Sequence, residues 1–381
     1  MGQVYLASPH LFGNEKKYLD EAIASNWVAP LGPFVNKAES MVEEMTGRPC
    51  AATSSGTAAI HLAVMELGIT RGDVVLASDM TFAASVNPAV YQGAKVVFVD
   101  SERETYNMDP NILKWAIELY HPKAVILAHI YGTPADYRVI EVCREHGIPV
   151  IEDAAEVIGA TVLGKPAGTL GDYGIYSFNG NKIVTGSMGG MVVCPDKRSK
   201  AHVVNISTQA KASGDTVYIH KETGYNYRMS NVTAAILCGQ LELLNEKIAI
   251  KRSINERYAE KLNGQCGMEI LGVPKDRTSN YWLSILLTDD RSGALVKAII
   301  ENLKKDDIQS RRVWTPLHRQ PVFSKCDFVM NSKCTRSVSD EFFGRALCLP
   351  SDENMTTEQQ DRVISIVLET ASQYKGGGIR V

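Results

Sequence analysis

The chain has 381 residues, enough for two domains, and its composition (45% hydrophobic, 22% charged, 7% aromatic) excludes disordered, collagen-like and coiled-coil classes. Forty Lys+Arg against forty-three Asp+Glu leave a formal charge of −3, without the basic excess that nucleic-acid binding draws on. No apolar run approaches the roughly 18 to 20 residues that span a bilayer, and the first residues lack a signal-peptide pattern, so a cytoplasmic protein with no nucleic-acid or membrane partner is expected.

Before the first strand lies Asn26-Trp27-Val28-Ala29-Pro30, stiffened by Pro30 and Pro33. From about residue 48 to 194, short runs rich in Val, Ile and Ala alternate with helical patterns, the mark of an α/β fold with a mostly parallel sheet covered by helices on both faces. The clearest strands are Asp73–Ser78, Lys95–Asp100, Lys123–Ala128 and Ile148–Asp153, apolar enough to be buried on both faces. Between them, Thr57–Leu67 and Asp136–His146 read as helices, the second closed by Gly147. Tyr173–Phe178 and Gly190–Cys194 read as two more strands, joined by a loop rich in Gly and Asn. Asn231 to about Leu262 reads as one helical segment leading into a smaller α+β domain, which places the domains at 1–245 and 246–381. The tail, 376–381, is expected to be unordered.

Eight cysteines are scattered without a C-x-x-C pair and the eight histidines show no H-x-x-x-H pattern, so reduced thiols and no metal site are expected. Three other stretches carry chemistry. Thr53-Ser54-Ser55-Gly56-Thr57 opens a helix, where free backbone N–H groups and the helix dipole suit a phosphate, although an ordinary capped helix reads the same way. Glu152-Asp153-Ala154-Ala155-Glu156 ends a central strand, where α/β folds place ligand groups. A carboxylate there suits a protonated pyridine nitrogen, and equally it could cap the next helix. Lys182 follows a strand in a stretch of Gly, Asn, Ile, Val and Thr, and desolvation of such a lysine favours the neutral amine that forms Schiff bases.

These motifs, with Ser187-Met188-Gly189-Gly190 and Gly224-Tyr225-Asn226-Tyr227-Arg228-Met229 downstream, resemble the DegT/DnrJ/EryC1/StrS family of pyridoxal-phosphate-dependent sugar aminotransferases, from Tyr5 to about Leu349. Ser25 to Pro33 and Pro316 to Phe323 look most like its exopolysaccharide branch, which makes 4-amino-4,6-dideoxy sugars. The resemblance implies a fold-type I aminotransferase. It also implies that Lys182 holds pyridoxal 5′-phosphate covalently and shuttles protons, that Asp153 pairs with the pyridine nitrogen, and that Phe82 stacks on the ring. The Gly56 and Thr57 amides with Ser177 would bind the phosphate, aided by Asn226 of a neighbouring subunit in a homodimer with shared sites. Many relatives have Gln where this chain has Glu156, at a position that contacts the cofactor's phenolic oxygen; two anions there repel, so one should hold a proton. Trp27 and His318, each in a proline-bounded segment, are candidates to cover the open face and meet the sugar. The expected reaction moves an amino group from L-glutamate to C4 of a nucleotide-linked 4-keto-6-deoxy sugar for a surface glycan. A non-catalytic regulator on the same fold, a sugar dehydratase and a 3-aminotransferase are the alternatives. A dehydratase subgroup replaces the lysine by histidine, and this chain keeps Lys182.

Overall fold

The computed structural model describes residues 2–212 and 217–375, so the tail expectation lies outside the described residues. Two helices come first, α1 (Glu15–Ala24) and α2 (Pro33–Thr46), followed by β1 (Cys50–Thr53) and α3 (Gly56–Glu66). The chain then alternates through β2 (Val74–Ser78), α4 (Asn87–Tyr91), β3 (Lys95–Val99), α5 (Pro110–Tyr120), β4 (Ala124–Ala128), α6 (Arg138–Glu145) and β5 (Val150–Asp153). A small hairpin, β6 (Thr161–Val162) and β7 (Lys165–Pro166), precedes β8 (Tyr173–Ser177), β9 (Gly190–Val193) and α7 (Lys197–Ser207). The expected strands therefore form, each trimmed by one or two residues at its ends.

Segment 231–262, read as one helix, is two: α8 (Asn231–Glu242) and α9 (Leu244–Leu262), broken at Leu243. Beyond them come β10 (Met268–Ile270), β11 (Ser284–Thr288), α10 (Ala294–Lys305), β12 (Arg311–Arg312), β13 (Asp327–Val329), α11 (Val338–Arg345), β14 (Ala346–Leu349) and α12 (Thr357–Lys375).

Eight strands form the large sheet in the order β1-β9-β8-β5-β4-β2-β3-β13. From β8 to β13 neighbouring strands run parallel; β9 alone runs against β8 and β1. The central parallel strands are mostly apolar because helices cover both faces: β4 (Ala-Val-Ile-Leu-Ala) is buried at every residue. A second, antiparallel sheet, β10-β11-β14-β12, packs with α9, α10 and α12 around a separate core that includes Tyr258, Leu286, Leu303 and Val367. The two parts are joined at more points than α9. β13, from the C-terminal part, pairs with β3 at the edge of the large sheet, and Val4 pairs with Ile308.

Helices α1 and α2 lie against α8, and one side chain anchors that junction. The Asn231 side chain accepts from the backbone N–H of Phe34 (2.9 Å) and donates to the carbonyl of Trp27 (3.0 Å). No helix among the described residues is long and apolar enough to cross a membrane.

Candidate active site

The carboxyl ends of β1, β2, β4, β5 and β8 open into one cavity of about 330 Å³. Gly56, Thr57, Phe82, Asp153, Glu156, Ser177 and Lys182 all line it, although they are spread over 127 positions of sequence, because parallel strands deliver their following loops to one edge. Ser85, His129 and Trp314 line it too, and none of these three stood out in the sequence. His129 was in principle findable as the residue directly after the buried strand β4. Trp314 had only its nearness to Pro316-Leu317-His318 as a signal.

At one end of the cavity α3 begins. Ser55 caps it, its hydroxyl accepting from the Ala58 N–H (3.0 Å), a contact worth about 1 kcal/mol. The Gly56 and Thr57 amides, beyond reach of any intrahelical carbonyl, are left at the cavity wall. A Cβ on Gly56 would come within 3.0 Å of the Ser177 Cβ, so glycine lets the helix start close to the Ser177 hydroxyl. Capping and an anion cradle are thus compatible here.

On the floor, Asp153 is nearly buried and accepts from the Ser85 hydroxyl (2.6 Å) and the Ala155 N–H (3.1 Å). Among the described residues no cation stands within 4 Å of it, which leaves a buried carboxylate suited to a cationic ligand atom. Beside it His129 is held rigidly. Its Nδ1 accepts from the Ala135 N–H (3.0 Å), so Nε2 carries the proton and donates to Glu152 (3.0 Å). Burial would push the Glu152 carboxyl up, but His129 and the Gly168 and Gly171 N–H groups hold it below the usual range.

The Lys182 amine lies 3.5 Å from Glu156 Oε1 and 4.2 Å from the centre of the buried Trp282 ring. Glu156 also accepts from the Tyr131 N–H at Oε2 (2.8 Å) and from the Trp314 indole at Oε1 (3.2 Å). Burial raises the Glu156 carboxyl above its ordinary value, with Lys182 pulling the other way. Phe82, 55% exposed, tilts against Trp314 at 5.1 Å between ring centres.

Three candidate residues do not reach this cavity in their own chain. Trp27 is 43% exposed beside α8, and Asn226 is exposed on the segment that Arg228 ties to Glu39 and to the Ala52 carbonyl. His318 is turned elsewhere: its Nδ1 faces the buried Asp79 (2.8 Å), its Nε2 faces Asp340 (3.5 Å), and its ring stacks on Phe328. Nδ1 is taken up by Asp79, while Nε2 has only the more distant Asp340.

An anion cradle at one end, a carboxylate waiting for a cation in the floor and an amine between walls of aromatic rings match the charge pattern of pyridoxal phosphate, and the chain is an aminotransferase that uses that cofactor. It belongs to the DegT/DnrJ/EryC1/StrS aminotransferase family, whose profile matches residues 10–368. EpsN of Bacillus subtilis (strain 168) is 42% identical over 373 residues, covering 96% of this chain and 95% of that one. GDP-perosamine synthase of Escherichia coli O157:H7 is 34% identical over 361 residues, covering 94% and 96%. Among solved structures, the aminotransferase TlmJ from Streptoalloteichus hindustanus superposes with a TM-score of 0.90 at 26% identity, covering 98% of this chain and all of that one. The protein is therefore a sugar aminotransferase, and its predicted fold class and cofactor stand.

Proposed function

We propose that the protein transfers the amino group of L-glutamate to C4 of a nucleotide-linked 4-keto-6-deoxy sugar, giving a 4-amino-4,6-dideoxy sugar nucleotide for a surface glycan. The observation that carries this reading is the meeting in one cavity of the Lys182 amine, the uncompensated Asp153 carboxylate and the Gly56–Ser177 cradle. Position C4 is favoured because perosamine, the product in the name of one relative, is a 4-amino sugar.

Pyridoxal phosphate, when bound, supplies an electron-accepting ring that lets an amino group leave one carbon and join another. The chain's own residues do the rest. The Gly56 and Thr57 amides and the Ser177 hydroxyl would hold the phosphate, and Asp153 would keep a proton on the ring nitrogen. Phe82, on the cavity wall, would cover one face of the ring and keep water from it. Lys182 would anchor the cofactor through Nζ, and as a free amine it is placed to take and return the proton at the reacting carbon. Glutamate would leave as 2-oxoglutarate before the keto sugar enters, so the kinetics should be ping-pong. The second subunit of a homodimer would complete each site with Asn226.

The test has two arms. Borohydride reduction of the cofactor-loaded protein should fix the cofactor to Lys182 in a peptide map, and an adduct on another lysine overturns the site assignment. Incubation with glutamate and a panel of UDP-, dTDP- and GDP-linked 4-keto-6-deoxy sugars should yield a 4-amino product by mass spectrometry and NMR; amination at C3, or loss of water without amination, overturns the reaction.

A further inference from the structure

Trp314 belongs to the C-terminal part of the chain, two residues after β12, yet it reaches the cavity and hydrogen-bonds an acidic side chain delivered by β5. Its attachments form a closed ring. The indole N–H donates to Glu156 Oε1, the backbone N–H of Trp314 donates to the Tyr131 hydroxyl, and the backbone N–H of Tyr131 donates to Glu156 Oε2. Tyr131 makes this possible by adopting φ +55°, a left-handed conformation that costs a non-glycine residue energy and persists only where its surroundings enforce it. The indole is clamped from outside as well, by the Arg311 guanidinium at 3.8 Å from the ring centre and by Phe82 at 5.1 Å.

We propose that Trp314 is a positioning residue that keeps the Glu156 carboxylate ionised and turned toward Lys182. A carboxylate has about four lone-pair sites. Tyr131 takes one on Oε2 and Trp314 takes one on Oε1, so Lys182 Nζ approaches the remaining site on Oε1. The titratable groups facing Glu156 are Lys182, Arg311, Asp153, the Tyr131 phenol and the buried Cys348 thiol of β14, and burial alone favours the protonated acid. Fixed donors oppose that tendency without adding another charge. The C-terminal part of the chain thereby sets how readily the acid beside the lysine gives up its proton. This inference rests on the reading of Lys182 as the cofactor lysine, but its geometry is testable without the cofactor.

The test is an infrared titration of the protonated-carboxyl band in cofactor-free protein, the band being assigned to Glu156 by its loss in Glu156→Gln. Trp314→Phe keeps a ring and removes the donor, and should raise the midpoint by about one pH unit, a tenfold gain in proton affinity. Tyr131→Phe leaves the indole in place but removes the hydroxyl that holds the Trp314 backbone, and should move the midpoint by less, in the same direction. A loss of thermal stability with an unmoved midpoint in both variants makes Trp314 merely structural and overturns the proposal. A midpoint that falls also overturns it. The borohydride map reports on Lys182 separately, so the two readings fail independently.

Discussion

His318 shows how a residue picked out for one role can be held by chemistry of another kind. Burial works against its charge, but Asp79 and Asp340 outweigh that cost and raise its proton affinity above that of an ordinary histidine. A group whose folded pKa is raised adds stability that is fully present below the unfolded value near 6.5 and fades as pH rises through the folded value. His318→Gln should therefore lower the melting temperature most at pH 5 to 6, the gap to the parent protein narrowing at higher pH; a gap that widens with pH contradicts the ion pair. The sequence marked this histidine through its proline-bounded loop, and nothing in one dimension reveals a buried aspartate 239 positions away. Lys182 was legible for the opposite reason, since its neighbours in the chain lack charge and its neighbours in space, Glu156 and Trp282, are few. Trp314 was illegible because its partners, Glu156 and Tyr131, follow β5 and β4, across the boundary between the two sheets.

Among the elements, β9 is the one on which the cradle depends without itself touching a ligand. It runs antiparallel between β8 and β1, and at Gly190 its backbone comes so near the start of α3 that an added Cβ would lie 2.5 Å from the Ser55 carbonyl. Gly190→Ala should push α3 away from Ser177, costing about 1 to 3 kcal/mol by overpacking and weakening retention of the cofactor. Thermal melting and the fraction of cofactor left after dialysis measure the two effects, and normal retention would show that the cradle tolerates the shift. The strands were readable from their apolar runs because burial on both faces removes any alternation that could mislead. The break at Leu243 was not, since both sides carry a continuing helical pattern and the turn there is made by tertiary packing of α8 against α1 and α2.

At the scale of the whole molecule, Leu11, Phe12, Trp27, Val28 and Leu31 are all exposed within one short stretch near the N-terminus. Exposed apolar groups gathered in one stretch of chain suit a contact between copies. Asn231 links that stretch to the start of α8, close in sequence to Asn226. If two copies share their sites, then mixing inactive Lys182→Ala with inactive Asn226→Ala protein under subunit exchange should restore part of the activity, because one hybrid site then carries neither defect. Demonstrated exchange without recovery would place Asn226 in the service of its own subunit.

The position of β13 at the rim of the large sheet has a consequence for how the molecule is made. Strand β3 emerges from the ribosome with its outer edge unpaired, and the strand that covers it is translated about 230 residues later, on the order of 10 to 50 s at 5 to 20 residues per second. Throughout that interval a row of unsatisfied N–H and C=O groups is open to pairing with another nascent chain. The only charge on β3 itself is Lys95, and in the finished protein this lysine pairs with Asp327 of the covering strand at 2.6 Å. During synthesis the same ammonium, not yet neutralised, is the group that guards the edge.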